Sequence, residues 1–246
     1  MGERWADRGP QLARLSERRR TADSQGPADR ALLDFLLVLG EVLDPDLDDA
    51  VARQALDGLV ARIAEDPSPR GVVRALSEKG FGGAGRTFLS WRNSSPAHTL
   101  VAGSGLPLTL GLITVVAAAE AGVSLDLIGL PFHVVVGCPT EDGPAMGESF
   151  SGHDTYIDAL VPSLCDRTTL EQIVERNSRG RLSLDPSMLA VMTAGDVIAR
   201  VMNNLENAAN AGRDLPLLGL VRVIRAVIGS QDAPDRSGAA ARHLLN

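Results

Sequence analysis

The chain has 246 residues, of which 44% are hydrophobic and 22% are charged. This composition is typical of a soluble globular protein and excludes collagen-like, fully disordered and disulfide-scaffold chains. The formal net charge of −7 argues against a dedicated nucleic-acid-binding protein, because such a protein presents a basic surface to phosphates.

The first 28 residues carry frequent charges and few apolar side chains. This composition predicts a disordered tail over residues 1–28. Arginines recur throughout the segment and interrupt any apolar stretch of the kind that a signal peptide needs. We therefore expect a cytoplasmic protein.

Helical spacing of apolar residues starts after this tail and predicts an N-terminal helical subdomain over residues 29–104. The predicted helices run from Ala31 to Val42, from Leu47 to Ala64 and from Pro69 to Ser77. A glycine-rich run follows at residues 80–85. It lacks the Gly-Lys-Ser/Thr ending of a phosphate loop and is expected to be a flexible connector. Residues 86–104 are predicted to be irregular.

The central part of the chain, residues 105–183, predicts a helix followed by a small sheet. The helix opens at Pro107, ends near Gly122 and is apolar on nearly every side, which is typical of a central helix. The uncharged stretch 101–119 has glycines and a proline at its front, which leaves too short an apolar helix to span a membrane. Three strand-like runs predict an antiparallel meander: Val123–Ile128, Phe132–Cys138 and Thr155–Leu160.

Helical patterns return after Asp166. A long helix is predicted over Ser187–Ala211 and another from Asp214 to about Ile228, with a tight hairpin between them. Residues 184–246 are assigned to this helical tail, whose hairpin is similar to one unit of a helical repeat. The hydrophobic period changes from near 3.6 to 2 and back, which predicts an α+β fold.

His133 and Asp158 are the candidate site residues. The period of two in a strand places His133 on the face opposite Cys138, and Asp158 on the same face as Tyr156. If the two strands are antiparallel neighbours, Asp158 can orient the imidazole of His133, as a carboxylate does for a general base. Spacing alone also allows a buried structural histidine and a surface aspartate.

Other reactive groups fit catalysis less well. Cys138 faces away from His133, and Cys165 lies beyond Asp158 and could approach His133 only if the chain reversed. We therefore expect both thiols to be dispensable. The hydroxyls of Ser104 and Thr109 lie near the start of the central helix, where Ser and Thr usually act as caps.

A metal site is a further alternative. Ligand types are present in His133, His153, Asp158 and Glu148, but their spacing matches no compact metal motif. We expect neither a metal nor another cofactor.

Short motifs follow one another along the chain in a defined order. They are Arg92-Asn93-Ser94, Gly105-Leu106-Pro107-Leu108-Thr109-Leu110, Gly129-Leu130-Pro131-Phe132-His133, Ile157-Asp158, Leu184-Asp185-Pro186 and Met202-Asn203-Asn204-Leu205. In this order and spacing, the chain resembles the transglutaminase-like superfamily, in particular its SirB-type branch with a tetratricopeptide-like helical tail.

The resemblance implies a papain-like core, in which a central helix packs on a small antiparallel sheet between helical N- and C-terminal segments. His133 matches the family's catalytic histidine and Asp158 its aspartate. Catalytic members place a cysteine at the start of the central helix, where the thiolate is favoured. Residues 107–109 contain no cysteine, and Thr109 supplies the hydroxyl there. The motif before the helix implies three binding residues, namely Arg92, Asn93 and Ser94.

Two functions are therefore open. In the first, a cysteine-less cleft binds a peptide, a small amide or a protein partner, and no nucleic acid or membrane is involved. In the second, His133 acts as the base and Asp158 orients it in amide or acyl chemistry, with water or a substrate amine as nucleophile. Catalysis needs both side chains open to a cleft, whereas their burial favours the binding protein.

Overall fold

The computed structural model describes residues 8–23, 29–83, 85, 90–140 and 152–229. Helices come first, a sheet follows, and helices return, which is the α+β order that the sequence predicts. The helices are α1 (Gly9–Asp23), α2 (Arg30–Leu43), α3 (Asp49–Ala64), α4 (Pro69–Glu78), α5 (Pro96–Ala102), α6 (Pro107–Glu120), α7 (Arg167–Ser178), α8 (Ala194–Ala211) and α9 (Leu215–Val227). The strands are β1 (Gly82–Gly83), β2 (Ser104–Gly105), β3 (Asp126–Ile128), β4 (Val135–Pro139), β5 (His153–Asp158) and β6 (Ser163–Cys165). Short 3₁₀ helices occupy Trp91–Ser94 and Pro186–Leu189.

Helix α1 corrects the expectation of a disordered tail over residues 1–28. Leu15 is fully buried and Leu12 packs against the same core, so that α1 lies along α2. The average composition of this segment is polar, but a narrow apolar stripe is enough to hold a helix against a neighbour. Residues 1–7 and 24–28 lie outside the described ranges.

Helices α2, α3 and α4 confirm the first helical segments of the sequence pattern. Each is preceded by a side chain that accepts a hydrogen bond from an amide of the first turn. These capping residues are Asp29, Asp48 and Ser68. Their bonds satisfy amide groups that have no partner within the helix.

Helix α5 lies in the segment that the sequence analysis expects to be irregular. Pro96 begins it, and Gly103 ends it with a left-handed φ of 69°. These are ordinary start and stop signals, but the helix between them is too short to show a clear apolar period. The expected flexible connector is also ordered in part, because Gly82 and Gly83 form β1, which pairs in parallel with β2.

Helix α6 is the centre of the fold. Every residue from Pro107 to Ala118 is buried, as the apolar pattern predicts. Gly111 faces the sheet at close range, since a Cβ there would lie 2.8 Å from Leu127 Cδ1 and 3.2 Å from Val134 Cγ1. None of the helices in the described ranges is long and apolar enough to cross a membrane.

The strands from β3 to β6 form an antiparallel sheet in the order β3-β4-β5-β6. In the middle of β4, Val136 pairs with Leu127 on one side and with Ile157 on the other. The predicted meander is confirmed. The additional edge strand β6 has three residues, too few for an alternating pattern to reveal.

The C-terminal hairpin consists of α8 packed on α9. The long helix expected from Ser187 begins instead at Ala194, because Thr193 and Asp196 form a reciprocal capping box. Just before this cap, the Met192 amide donates to the carbonyl oxygen of Leu127 at 2.8 Å. The segment that leads into the hairpin is therefore attached to the edge of the sheet at β3.

Replacing Gly111 by alanine tests the contact between α6 and the sheet. Alanine favours the helix by about 1 kcal/mol, but its methyl group meets buried side chains, and overpacking costs about 1–3 kcal/mol. We expect Gly111→Ala to lower the free energy of unfolding by about 1 kcal/mol in urea titrations.

Gly58→Ala, in the middle of α3, is the matched control. A Cβ at Gly58 meets only Lys79 Nζ, at 3.5 Å, so this change should raise the free energy of unfolding by about 0.5–1 kcal/mol. Equal stabilisation by the two changes would show that α6 does not contact the sheet this closely.

Candidate functional site

His133 lies in the turn that precedes β4, not inside the predicted strand Phe132–Cys138. Its amide donates to the carbonyl oxygen of Leu130 at 3.2 Å, and Phe132 has a φ of 61°. This left-handed residue delays the strand, which begins at Val135. From Val134 onwards the predicted alternation holds, since Val134 belongs to the main core and Val135 to a second apolar cluster.

Asp158 is the last residue of β5. Two residues earlier, Tyr156 packs in the second apolar cluster together with Val135. This places Asp158 on the predicted face, because residues two apart in a strand share a face. Its Oδ1 accepts a hydrogen bond from the amide of Leu160 at 2.9 Å, a local turn that fixes the carboxylate.

The structure brings His133 and Asp158 together, as the sequence predicts. His133 Nε2 lies 3.1 Å from Asp158 Oδ1, and the residues are only 6% and 7% exposed. The expected hydrogen bond is not formed, since Nε2 has no hydrogen-bond partner among the described residues. At this separation the oxygen must lie well off the N–H direction. Nε2 therefore keeps an unused hydrogen-bonding position inside the protein.

Arg200 of α8 is the residue of this site that sequence reasoning misses. Its guanidinium donates to the carbonyl oxygens of Leu130, at 2.9 Å, and of His133, at 3.3 Å. Nearly seventy positions separate these partners along the chain. No local spacing of residues could reveal this contact. The only signal in the sequence is the last motif, Met202-Asn203-Asn204-Leu205, which lies in α8 and indicates that this helix belongs with the core.

The glycine-rich run closes the site near Asp158. The Gly83 amide donates to the carbonyl oxygen of Leu160 at 2.9 Å. A Cβ on Gly83 would lie 2.9 Å from Leu160 Cδ1. The backbone at Gly83 thus lies close to the turn after Asp158.

Thr109, the candidate hydroxyl at the helix start, is buried and bonded to the backbone. Its Oγ1 donates to the carbonyl oxygen of Asn93 at 2.9 Å, and the amide of Leu106 donates to the same oxygen at 3.1 Å. Leu106 is the N-cap of α6 and has no side chain that could cap the helix. The Asn93 carbonyl therefore anchors the start of α6.

The neighbours of Asn93 have different surroundings. Arg92 is exposed, forms an ion pair with Asp44 at 3.3 Å and lies over the ring of Trp91. Ser94 is 2% exposed, and its hydroxyl has no hydrogen-bond partner among the described residues. Of the three expected binding residues, Ser94 is thus the one with an unused polar group.

A Ser–His–Asp arrangement that the sequence pattern did not predict joins the end of α2 to α5. His98 Nδ1 lies 3.0 Å from Ser95 Oγ, and its Nε2 lies 3.3 Å from Asp44 Oδ2. Burial lowers the pKa of His98. Burial alone would raise the pKa of Asp44, but hydrogen bonds and charge from His98 and Arg92 lower it. The polar groups of Ser95, His98 and Asp44 bond to one another, so the arrangement stabilises the fold.

A third His–Asp pair lies at the other end of the sheet. His153 Nε2 is 2.8 Å from Asp126 Oδ2, and its Nδ1 has no partner among the described residues. His153 pairs with Pro139 at the end of β4, whereas His133 precedes the start of that strand. No group of three or more ligand side chains able to hold a metal occurs among the described residues, and Glu148 lies outside them.

The two cysteines are buried and free. Burial raises the pKa of the Cys138 thiol to about 11, and it also raises the pKa of Cys165. Cys138 packs in the main core, on the face away from His133 that parity predicts. A thiol of high pKa is a poor nucleophile because the thiolate is the reactive form.

The rate of alkylation measures directly how far burial suppresses the ionisation of the Cys138 thiol. At pH 8 a thiol of pKa 9 is about one-tenth ionised and one of pKa 11 about one-thousandth, so native Cys138 should react with iodoacetamide about 100-fold more slowly than in urea. Mass spectrometry of the peptide that contains Cys138 gives both rates. The same shift should lower stability as the pH rises from 9 towards 11, since only the unfolded thiol then ionises freely. Equal rates in the folded and unfolded protein would contradict the burial of this thiol.

The chain was compared with protein families, curated proteins and solved structures. Residues 49–203 match the transglutaminase-like superfamily. No curated protein and no solved structure shows significant similarity to the chain. The matched residues form more than half of the chain and include α6, the antiparallel sheet, the pair His133 and Asp158, and Arg200. The chain therefore belongs to the transglutaminase-like superfamily.

Proposed function

We propose that this chain is a SirB-type transglutaminase-like protein that binds a peptide or amide without covalent catalysis, in a cysteine-less cleft beside His133 and Asp158. The observation that carries the proposal is a set of buried polar atoms without hydrogen bonds. Among the described residues, these atoms include His133 Nε2, Ser94 Oγ and Thr99 Oγ1. Native proteins satisfy most buried polar groups, so unsatisfied ones call for an explanation.

Two of these atoms, Ser94 Oγ and Thr99 Oγ1, belong to the 3₁₀ helix and to α5, which both contact α6. Thr99 Oγ1 would be 2.6 Å from a Cβ on Gly105, two residues before α6 begins. Ser94 follows the residue whose carbonyl anchors the helix, and its 3₁₀ helix contacts α8. Through Arg200, α8 also contacts the turn of His133. A ligand amide has one donor and one acceptor, which suits a mixture of hydroxyl and imidazole groups.

Burial and the lack of an activated nucleophile favour binding over catalysis. His133 and Asp158 are both more than nine-tenths buried, and the hydroxyl hydrogen of Thr109 is given to a backbone carbonyl. Neither thiol is ionised near neutral pH, because burial raises the pKa of each. Covalent acyl transfer needs an activated nucleophile within reach of a base. The Cys165 thiol lies beside Asp158, but burial raises its pKa and keeps it protonated.

In this proposal the α8–α9 hairpin offers a surface on which a protein partner can bind. Its outer surface includes Leu215 and Val223, which are 74% and 48% exposed. Paired helices of this kind form the binding surfaces of helical repeat proteins. In this interpretation the hairpin is a tetratricopeptide-like tail that binds the partner whose peptide reaches His133.

The second candidate function is hydrolysis or transfer of an amide or acyl group. The close approach of His133 Nε2 to Asp158 Oδ1, 3.1 Å, is the observation that favours it. In this case His133 removes a proton from water or an amine, and Asp158 stabilises the imidazolium.

A pool of N-acetylated tripeptide amides tests the proposal. The chain has four histidines, whose ring signals can be assigned in NMR spectra through single His→Gln variants. We expect the pool to shift the His133 ring signal, and His133→Gln to weaken binding at least tenfold, about 1.4 kcal/mol. His153→Gln removes the histidine of the other pair and should leave binding unchanged. A pool that shifts no His133 signal would contradict the proposal.

Mass spectrometry of the same mixture separates the two functions. A binding protein leaves the peptides intact over hours. Products that form with the wild type and not with His133→Gln would instead establish the catalytic alternative.

The stability of His133→Ala provides an independent measurement. The change leaves the carboxylate of Asp158 buried beside a cavity, so we expect the free energy of unfolding to fall by about 1–3 kcal/mol. Asp158→Ala/His133→Ala in one chain should cost less than the sum of the single changes, since the two groups are in contact. Additive losses would show that the pair does not interact.

A further inference from the structure

The turn that carries His133 has an unusual backbone. Phe132 adopts a left-handed φ of 61°, although it is aromatic and 48% exposed. A side chain with a Cβ disfavours this region, and residues that occupy it are held there by their surroundings. Exposed as it is, the Phe132 ring has too few contacts to hold its own backbone in this conformation.

Arg200 adds a side-chain restraint to the backbone bond from the His133 amide to the Leu130 carbonyl. One guanidinium bonds to the carbonyl oxygens of Leu130 and His133 on either side of Phe132, at 2.9 and 3.3 Å. The planar fork of arginine holds two acceptors at a fixed separation and stays charged at any ordinary pH. Two acceptors three residues apart can both reach it only when the chain between them turns back on itself.

Gly129 makes room for this contact. A Cβ at that position would lie 3.2 Å from Arg200 Nη1 and 3.1 Å from Met192 Sδ. The guanidinium therefore packs directly against the start of the turn. Both ends of the turn, Gly129 and His133, are in contact with the same side chain.

We propose that Arg200 is the positioning residue of His133. By holding Phe132 in the left-handed conformation, it sets where the imidazole lies relative to Asp158 and to a bound peptide. This inference rests on the proposed function for its biological meaning. The positioning itself can be measured without a ligand.

Arg200→Met tests the positioning, because methionine keeps much of the side-chain bulk and removes the donors. In the absence of ligand, we expect the His133 ring signal to shift or to split into several conformers, while the signals of His98 and His153 stay in place. Arg222→Met, an exposed arginine of α9, is the matched control and should leave all three signals unchanged. An unchanged His133 signal in folded Arg200→Met protein would overturn the proposal.

Phe132→Gly gives a second, independent readout. Glycine adopts the left-handed region freely, so the turn should need Arg200 less. We expect Arg200→Met to shift the His133 signal much less in the Phe132→Gly background than in the wild type. Equal shifts in both backgrounds would mean that Arg200 only adds stability, and would overturn the proposal.

Arg200→Lys replaces Arg200→Met if the latter fails to fold. A single ammonium cannot reproduce the two-pronged contact, so a smaller displacement of the His133 signal is expected, and an unshifted signal would again overturn the proposal. The tripeptide pool should bind Arg200→Met at least tenfold more weakly than the wild type. If no peptide binds even the wild type, the proposed function fails while the ring signals still decide the role of Arg200.

Discussion

The burial of α6 is the constraint on which the rest of the structure depends. A helix that is apolar on every side has no face to present to water, so helices and a sheet must cover all of it. Gly111 sets how closely the sheet approaches, through Leu127 and Val134. These contacts fix the position of β4, which follows Val134. The pairing of β4 with β5 then fixes the position of β5.

The candidate site forms where the covering elements end. His133 precedes β4, Asp158 ends β5, and Asn93 lies in a 3₁₀ helix against the start of α6. At such ends the backbone no longer satisfies itself through ladders or helical bonds. Polar groups accumulate there, and some remain unpaired at a cost in stability. Selection for stability alone would favour apolar side chains in place of Ser94 and His133. A ligand-binding site, in contrast, needs polar side chains that can bond to the ligand.

Sequence reasoning predicted the features that depend on local periodicity. The helices from α2 to α4, the buried α6 and the three central strands all follow from apolar spacing. The approach of His133 to Asp158 follows from strand parity and from the resemblance together. What it missed depends on contacts distant in sequence or on elements too short for a period. Helix α1 is held by a sparse stripe around Leu15, α5 and β6 are only a few residues long, and the guanidinium of Arg200 meets partners far along the chain. The absence of a hydrogen bond from His133 Nε2 is a matter of angle, which no pattern of residue types encodes.

The link between the second 3₁₀ helix and α8, residues 190–193, joins the C-terminal hairpin to the sheet. Val191 forms a bridge with Ile128, and the next amide bonds to the backbone of β3, so a stretch outside the meander serves as part of its edge. Exchange of the C-terminal hairpin for another helical module would therefore uncover a strand edge and remove the restraint on the turn between β3 and β4. Hairpin and sheet are thus expected to open as a single cooperative unit, with similar protection of their amides from hydrogen exchange. Recombination at the boundary between residues 183 and 184 would separate parts of the chain that depend on each other.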